Sequence, residues 1–295
     1  TLRPLVLETS WVLSSSSTVS SLSSSSPVVG SSLVEWGLTK VIAQLSLITD
    51  GSCLVDTGTL VVRVDATLPS RLTSGRLFDG SITDGVKVSS RTGNHSSSAT
   101  AISNALSLEL ESQIHRAILP SLNLKLYPKT ILQLDLTLIQ NDGSVLSACI
   151  LASTLALADA QIELYDLVTC CQSVIVKDHQ NDDYTIDNVW VDPESTEEHY
   201  STSNISLAIL GQTQEVTFWR QQQQQQQQEE TNVSKVELQT KETNVDPTRT
   251  ISSNPMLNEE AIRLCRDGCR TLYKFVKQHL REKEEERYHQ RQEKR

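Results

Sequence analysis

The sequence predicts an α+β fold, and three observations carry that prediction. Short runs rich in Val, Ile, Leu and Thr recur along the chain, among them residues 38–48, 59–66 and 167–176, and such runs favour strands. Residues 131–140 alternate, with Leu132, Leu134, Leu136 and Leu138 set against Gln133, Asp135 and Thr137, which is the period-two signature of a half-buried strand. Apolar residues recur instead at helical spacing at Leu106, Leu110, Ile114, Ala117 and Ile118, and near the end at Ile262, Cys265, Cys269, Leu272, Val276 and Leu280. Strands and helices intermingle without strict βαβ alternation, which favours α+β over a doubly wound sheet.

Taken in order, residues 1–13 read as a first strand that a serine tract interrupts. Asp50 and Gly51 separate the strands at 38–48 and 59–66, where a turn is expected. Residues 104–119 form an amphipathic helix, which Pro120 closes because proline cannot continue a helical ladder. After the alternating strand, Asn141, Asp142 and Gly143 supply a turn. Residues 144–160 are almost continuously apolar and rich in Ala and Leu, as suits a helix buried on most sides. A strand at 167–176 follows, then two shorter ones near Val189 and at 205–210, and an exposed-edge strand at 213–219. The long closing helix is expected to take Asn258 as its N-cap, with Glu259 and Glu260 in the first turn.

Hydrophobic residues make up 38% of the 295, which is low for a compact domain. The deficit is concentrated in three polar stretches, 14–26, 89–103 and 221–250, the last opening with a glutamine run. These segments cannot build a core, so a single domain over residues 1–295 with three disordered insertions is expected. The net charge of −10 argues against nucleic-acid binding by bulk electrostatics but does not exclude contact at a local patch. No stretch approaches the roughly 18 consecutive apolar residues of a membrane span, and no basic region followed by an apolar block marks a secretory signal. Six cysteines without framework spacing point to a reducing compartment.

Few constellations carry chemistry by themselves. Cys170 and Cys171 are neighbours in a strand, so their side chains point to opposite faces and cannot chelate one metal. Cys265 and Cys269 lie one helical turn apart, without partners at zinc-site spacing. All four are expected as buried small hydrophobes, and the six histidines form no cluster. No metal site and no cofactor is expected, and glycine-rich phosphate loops and nucleophile-elbow motifs are absent.

Three blocks together resemble the RNase PH family. The first is Gly30-Ser31-Ser32-Leu33-Val34-Glu35-Trp36-Gly37-Leu38-Thr39-Lys40-Val41, similar to the family's opening strand pair. The second is Tyr127-Pro128-Lys129-Thr130 followed by LDLTLIQNDG at residues 134–143. The third is Ala156-Leu157-Ala158-Asp159-Ala160, continuing through Tyr165-Asp166-Leu167-Val168. Their order and spacing, together with the closing helix, carry the resemblance. It implies an RNase PH-like fold of the ribosomal protein S5 domain 2 type.

The resemblance also supplies an expectation for each site position. Phosphorolysis needs a seat for phosphate, a metal held by carboxylates and basic groups on the RNA backbone, because nucleophile and leaving group are both anionic. Active members carry an Arg-Ser or Arg-Thr pair at the phosphate site, and the matching position is Lys129-Thr130. Lysine keeps the charge but loses the two-pronged donor. Two metal-binding aspartates match Asp192 and Glu198, followed and surrounded by Pro193, Glu194 and Glu197, and the two acids are expected as vestigial residues on an acidic surface turn. Arginines that hold RNA ahead of the first amphipathic helix match residues 103–107, where no basic residue stands.

With two elements altered and one missing, no catalytic residue is expected. The resemblance then implies a non-catalytic structural subunit of the RNA exosome ring. Its partners would be other RNase PH-like subunits in a hetero-hexamer, S1/KH cap subunits and RNA passing through the channel, with no membrane. Its places would be nucleus, nucleolus and cytoplasm, and its work RNA processing and degradation. The alternative is an active phosphate-dependent 3′–5′ exoribonuclease forming a homohexamer. A third reading is a free-standing interaction protein that uses its glutamine tract.

Overall fold

The computed structural model describes residues 2–10, 27–49, 57–66, 95–181, 184–223 and 255–293. Of the expected insertions, residues 14–26, 89–94 and 224–250 lie outside the described residues. The described chain is built in layers of sheet, helix, sheet and helix.

The first sheet has the order β1-β2-β3-β5-β4, from β1 (Leu5–Thr9), β2 (Val28–Trp36), β3 (Thr39–Thr49), β5 (Thr130–Gln140) and β4 (Thr59–Asp65). Its pairs are antiparallel except β4 with β5. The leucines that alternate along β5 all point into the core, with Leu132 and Leu134 fully buried. Burying each is worth roughly 1.5–3 kcal/mol relative to exposure. The second sheet has the order β7-β6-β8-β9, all antiparallel, from β6 (Val168–Asn181), β7 (Tyr184–Val191), β8 (Ser203–Leu210) and β9 (Val216–Gln223).

Between the sheets lies α2 (Val145–Asp159), of which only Val145 and Ala158 are not buried. It packs on β2 and β3 on one side and on β6 on the other, which explains its nearly uniform apolar sequence. The helix α1 (His95–Ile118) packs against β4, α2 and β9 through Leu110, Ile114, Ala117 and Ile118. On the outer face of the second sheet lies α4 (Pro255–Glu293), which contributes Ala261, Cys265, Cys269, Leu272 and Val276 to burial. A short α3 (Ser195–Tyr200) connects β7 to β8.

Because β6 is covered on both faces, its paired cysteines are both buried and face different layers. Ser147 of α2 donates its hydroxyl to Cys170 Sγ at 3.6 Å. Cys171 faces α4, where a Cβ on Gly268 would sit 2.6 Å from its sulfur. All five described cysteines are buried and free, among them the four expected to be buried, Cys170, Cys171, Cys265 and Cys269.

Several boundaries differ from the sequence reading, among them the end of β6, expected at 176 and found at Asn181. The first strand is shorter, Leu5–Thr9. Helix α1 begins at His95, so residues 95–103, expected within an insertion, are helical. Their Ser and Ala content lacks an apolar stripe but does not prevent a helix from propagating out of a packed segment. Strand β9 runs through Gln223, taking in three glutamines, because a backbone ladder with β8 needs no apolar side chains. Helix α4 begins at Pro255, suited to a first helical position because its missing N–H would be unpaired there. Asn258 therefore lies inside the helix rather than capping it, and its Oδ1 accepts from Gln221 Nε2 at 3.2 Å.

Candidate functional site

Two tight turns meet where β5 enters α2 and where β7 ends. Gly143 (φ +88°) and Ser144 (φ +50°) both take left-handed backbone to reverse the chain into α2. Only glycine fits at 143, since a Cβ would lie 2.5 Å from the Pro193 carbonyl oxygen and 2.7 Å from the Ser195 nitrogen. Facing it, Asp192 also adopts a left-handed conformation (φ +60°). The close approach of these turns brings Asp142, Asp192 and Glu198 into one polar cluster around Arg3.

Each Asp192 carboxylate oxygen has two donors. Oδ2 accepts from the Arg3 backbone N–H at 2.7 Å and from the Trp36 indole N–H at 2.8 Å. Oδ1 accepts from Arg3 Nη2 at 2.7 Å and from Nε at 3.1 Å. A carboxylate offers about four lone-pair sites, so the set is filled. The Asp192 side chain is 0% exposed and that of Arg3 11%. The guanidinium also donates to the Asp142 carbonyl at 2.7 Å and pairs with the Asp142 carboxylate at 3.6 Å. Burial nevertheless raises the Asp142 pKa above the usual range, against the lowering effect of Arg3.

Glu198 turns its carboxylate inward from α3. Its Oε1 accepts from the Ser144 backbone N–H and from Gln172 Nε2, each at 2.7 Å. Ser144 is the N-cap of α2, so this carboxylate occupies the end of a helix whose dipole favours an anion. Burial pushes the Glu198 pKa up to about 7, although Ser144, Arg3 and Gln172 each lower it.

These positions depart from the acidic surface turn expected for Asp192 and Glu198. Asp192 is buried, and Glu198 is partly buried with its carboxylate inside. The cause is Arg3, Trp36 and Gln172, donors that make burial of an acid tolerable. A divalent cation does not fit this set. The acceptors of Asp192 already belong to a guanidinium and an indole, and among the described residues no group of three or more His, Cys, Asp or Glu side chains is arranged to hold a metal.

Lys129-Thr130 does not join the cluster. Lys129 is exposed, and the Thr130 hydroxyl bonds locally to the Pro128 carbonyl at 3.2 Å. Thr130 opens β5 and the acids stand beyond its other end, Gln140. An 11-residue strand spans roughly 33 Å. The expected phosphate position is thus separated from the expected metal position by the length of the strand. Residues 103–107 lie within α1 rather than ahead of it.

No motif marks Arg3, 189 positions from Asp192, although Trp36 stands inside the first family block. Asp142, Gly143 and Ser144 were legible as a turn but not as the floor of the site. A second buried carboxylate, Asp159 at the end of α2, accepts from the Ser31 N–H at 3.0 Å and the Ser10 hydroxyl at 2.6 Å and pairs with Arg287. It ties α4 to the first sheet.

Known proteins resemble this chain in sequence and in fold. The chain is 31% identical over 103 residues to the exosome complex component MTR3 of Mus musculus, covering 35% of each chain. It is 41% identical over 63 residues to that of Homo sapiens, 21% of this chain and 23% of the relative. The matched segments therefore span about a third or less of those relatives. The Rrp41 exosome component of Methanopyrus kandleri is 24% identical over 177 residues, 60% of this chain and 59% of that one. Among solved structures, an archaeal exosome core superposes with a TM-score of 0.58 at 15% identity, over 94% of this chain and 87% of that chain. The Archaeoglobus fulgidus exosome with RNA bound to the active site gives 0.55 at 15% identity, over 94% and 89%. These two show the fold. Residues 1–163 match the RNase PH family, described as the 3′ exoribonuclease family, domain 1, and the chain belongs to that family.

Proposed function

We propose that the chain is a non-catalytic RNase PH-type subunit of an RNA exosome ring. The observation that carries the reading is the filled coordination of Asp192. An acid with every acceptor site taken by Arg3 and Trp36 is a structural anchor, and it offers nothing to a metal or to a developing charge. Glu198 supports the same reading, since its carboxylate occupies the helix terminus that an incoming phosphate would otherwise use.

In this reading the chain sits in a hetero-hexameric ring among other RNase PH-like subunits, with S1/KH cap subunits above and RNA threading the channel. The names of the mouse and human relatives support the ring. Its work is RNA processing and turnover, including ribosomal RNA, in nucleus, nucleolus and cytoplasm. No described helix is long and apolar enough to cross a membrane.

The test is to incubate the purified chain with single-stranded RNA, Mg²⁺ and inorganic phosphate. The reading expects no nucleoside diphosphate and no shortening, with or without Asp192→Ala and Glu198→Ala. Phosphate-dependent shortening that either substitution removes would establish the alternative, an active exoribonuclease.

A further inference from the structure

The outer face of α4 bears a feature that the buried site does not use. Arg263, Arg266, Arg270, Lys274, Lys277 and Arg281 follow one another at spacings of three or four residues. At 3.6 residues per turn they fall within roughly 80° of arc. That arc lies opposite the face formed by Ala261, Cys265, Cys269, Leu272 and Val276. Five of the six are exposed and Lys277 is half-buried. Between residues 263 and 281 the only acid is Asp267, in a chain whose net charge is −10.

A solvated helix face ordinarily mixes signs, because like charges one turn apart repel. The same helix does so just beyond the stripe, at Glu282, Lys283, Glu284, Glu285 and Glu286. Within the stripe, Arg270 pairs with Asp267 at 3.0 Å and donates to Gln214 Oε1 at 2.7 Å. Arg263, Arg266, Lys274 and Arg281 make no ion pair and no side-chain hydrogen bond among the described residues. Aromatic rings accompany the charges. Tyr273 packs over Gly211, where any Cβ would collide with the ring, and Lys277 Nζ stands 5.4 Å from the Tyr273 centroid. On β9, whose Gln221 donates to Asn258 of α4, Trp219 is 52% exposed.

We propose that this stripe is a docking surface for the phosphodiester backbone of single-stranded RNA, separate from the cluster around Asp192. Six cations about 5 Å apart along a rigid helix, four of them unpaired among the described residues, match a linear polyanion better than a single phosphate. The exposed Trp219 ring offers stacking to an unpaired base. The choice of RNA over an acidic protein rests on the proposed place in an RNA-processing ring.

Two measurements separate the possibilities. Binding of a fluorescein-labelled oligouridylate to the full chain is followed by anisotropy across a salt series, and native mass reports entry of the same protein into its assembly. The variant carries Arg263→Gln, Arg266→Gln, Lys274→Gln and Arg281→Gln, all exposed, with its fold checked by circular dichroism. The proposal expects at least a tenfold loss of affinity and a salt slope smaller by about 3, from about 0.7 per phosphate contact. Arg116→Gln with Lys125→Gln, exposed but off the stripe, should leave both unchanged. Unchanged RNA binding in the stripe variant overturns the proposal, as does an equal loss in the Arg116/Lys125 pair or a wild-type chain that does not bind. Loss of assembly with RNA binding intact also overturns it and makes the stripe a protein interface. A wild-type chain that binds RNA through the stripe but enters no ring would defeat the ring reading and leave this one standing.

Discussion

Replacing Asp192 by alanine should destabilise the fold severely, because the carboxylate holds together parts of the chain that nothing in sequence links. The substitution leaves the Arg3 guanidinium, 11% exposed, without its principal counter-charge. It also orphans the Trp36 indole N–H and the Arg3 backbone N–H. Breaking a buried pair by removing one partner costs about 3–5 kcal/mol. Each orphaned donor costs about 1–3 kcal/mol by itself, but the losses overlap at one carboxylate, so the total stays near 3–5 kcal/mol. For a chain of this size the corresponding fall in Tm is roughly 10 °C. Urea unfolding followed by circular dichroism should show a lower midpoint with an unchanged slope, and Asp192→Asn should fall between, since it keeps one acceptor oxygen. A carboxylate retained to hold a metal behaves in the opposite way, because removing a strained functional acid commonly leaves stability unchanged or raises it. An Asp192→Ala chain within about 1 kcal/mol of wild type would refute the structural role.

Three further outcomes follow from the same geometry. Glu198 has a folded pKa of about 7 against an ordinary 4.5, so between those values the folded chain keeps a proton that the unfolded chain has lost. Stability should therefore fall as pH rises through that window, by up to about 3 kcal/mol, and level off above it. Glu198→Gln should flatten the profile, and a profile that persists in the variant would remove Glu198 as its source. Gly30→Ala places a Cβ 2.6 Å from the Ala160 backbone nitrogen and closer still to the Ala156 carbonyl, so thermal unfolding should show a loss of about 1–3 kcal/mol. Lys129→Ala should change stability by less than about 0.5 kcal/mol and leave inorganic-phosphate affinity, measured by calorimetry, as it was.

The elements were readable where periodicity was strong. The leucines of β5, the apolar run of α2 and the stripe of α4 each declare which faces are covered, and the layers follow from them. Boundaries governed by backbone pairing were less accessible, as in the three glutamines at the end of β9 and the helical start at His95. At the site, Asp192 and Glu198 could be named from the motif, but their burial could not, because it depends on donors from Arg3, Trp36 and Gln172 in distant strands and turns. Lys129-Thr130 illustrates the opposite case. A local match suggested a phosphate seat, and the length of β5 separates it from the acids.

The central claim, a non-catalytic place in a mixed ring, is tested most directly by the native mass and subunit composition of the tagged protein purified gently from its own cells. The account predicts one hetero-assembly containing several different RNase PH-like chains with a single copy of this one. A homohexamer of this chain, or a monomer, would contradict it.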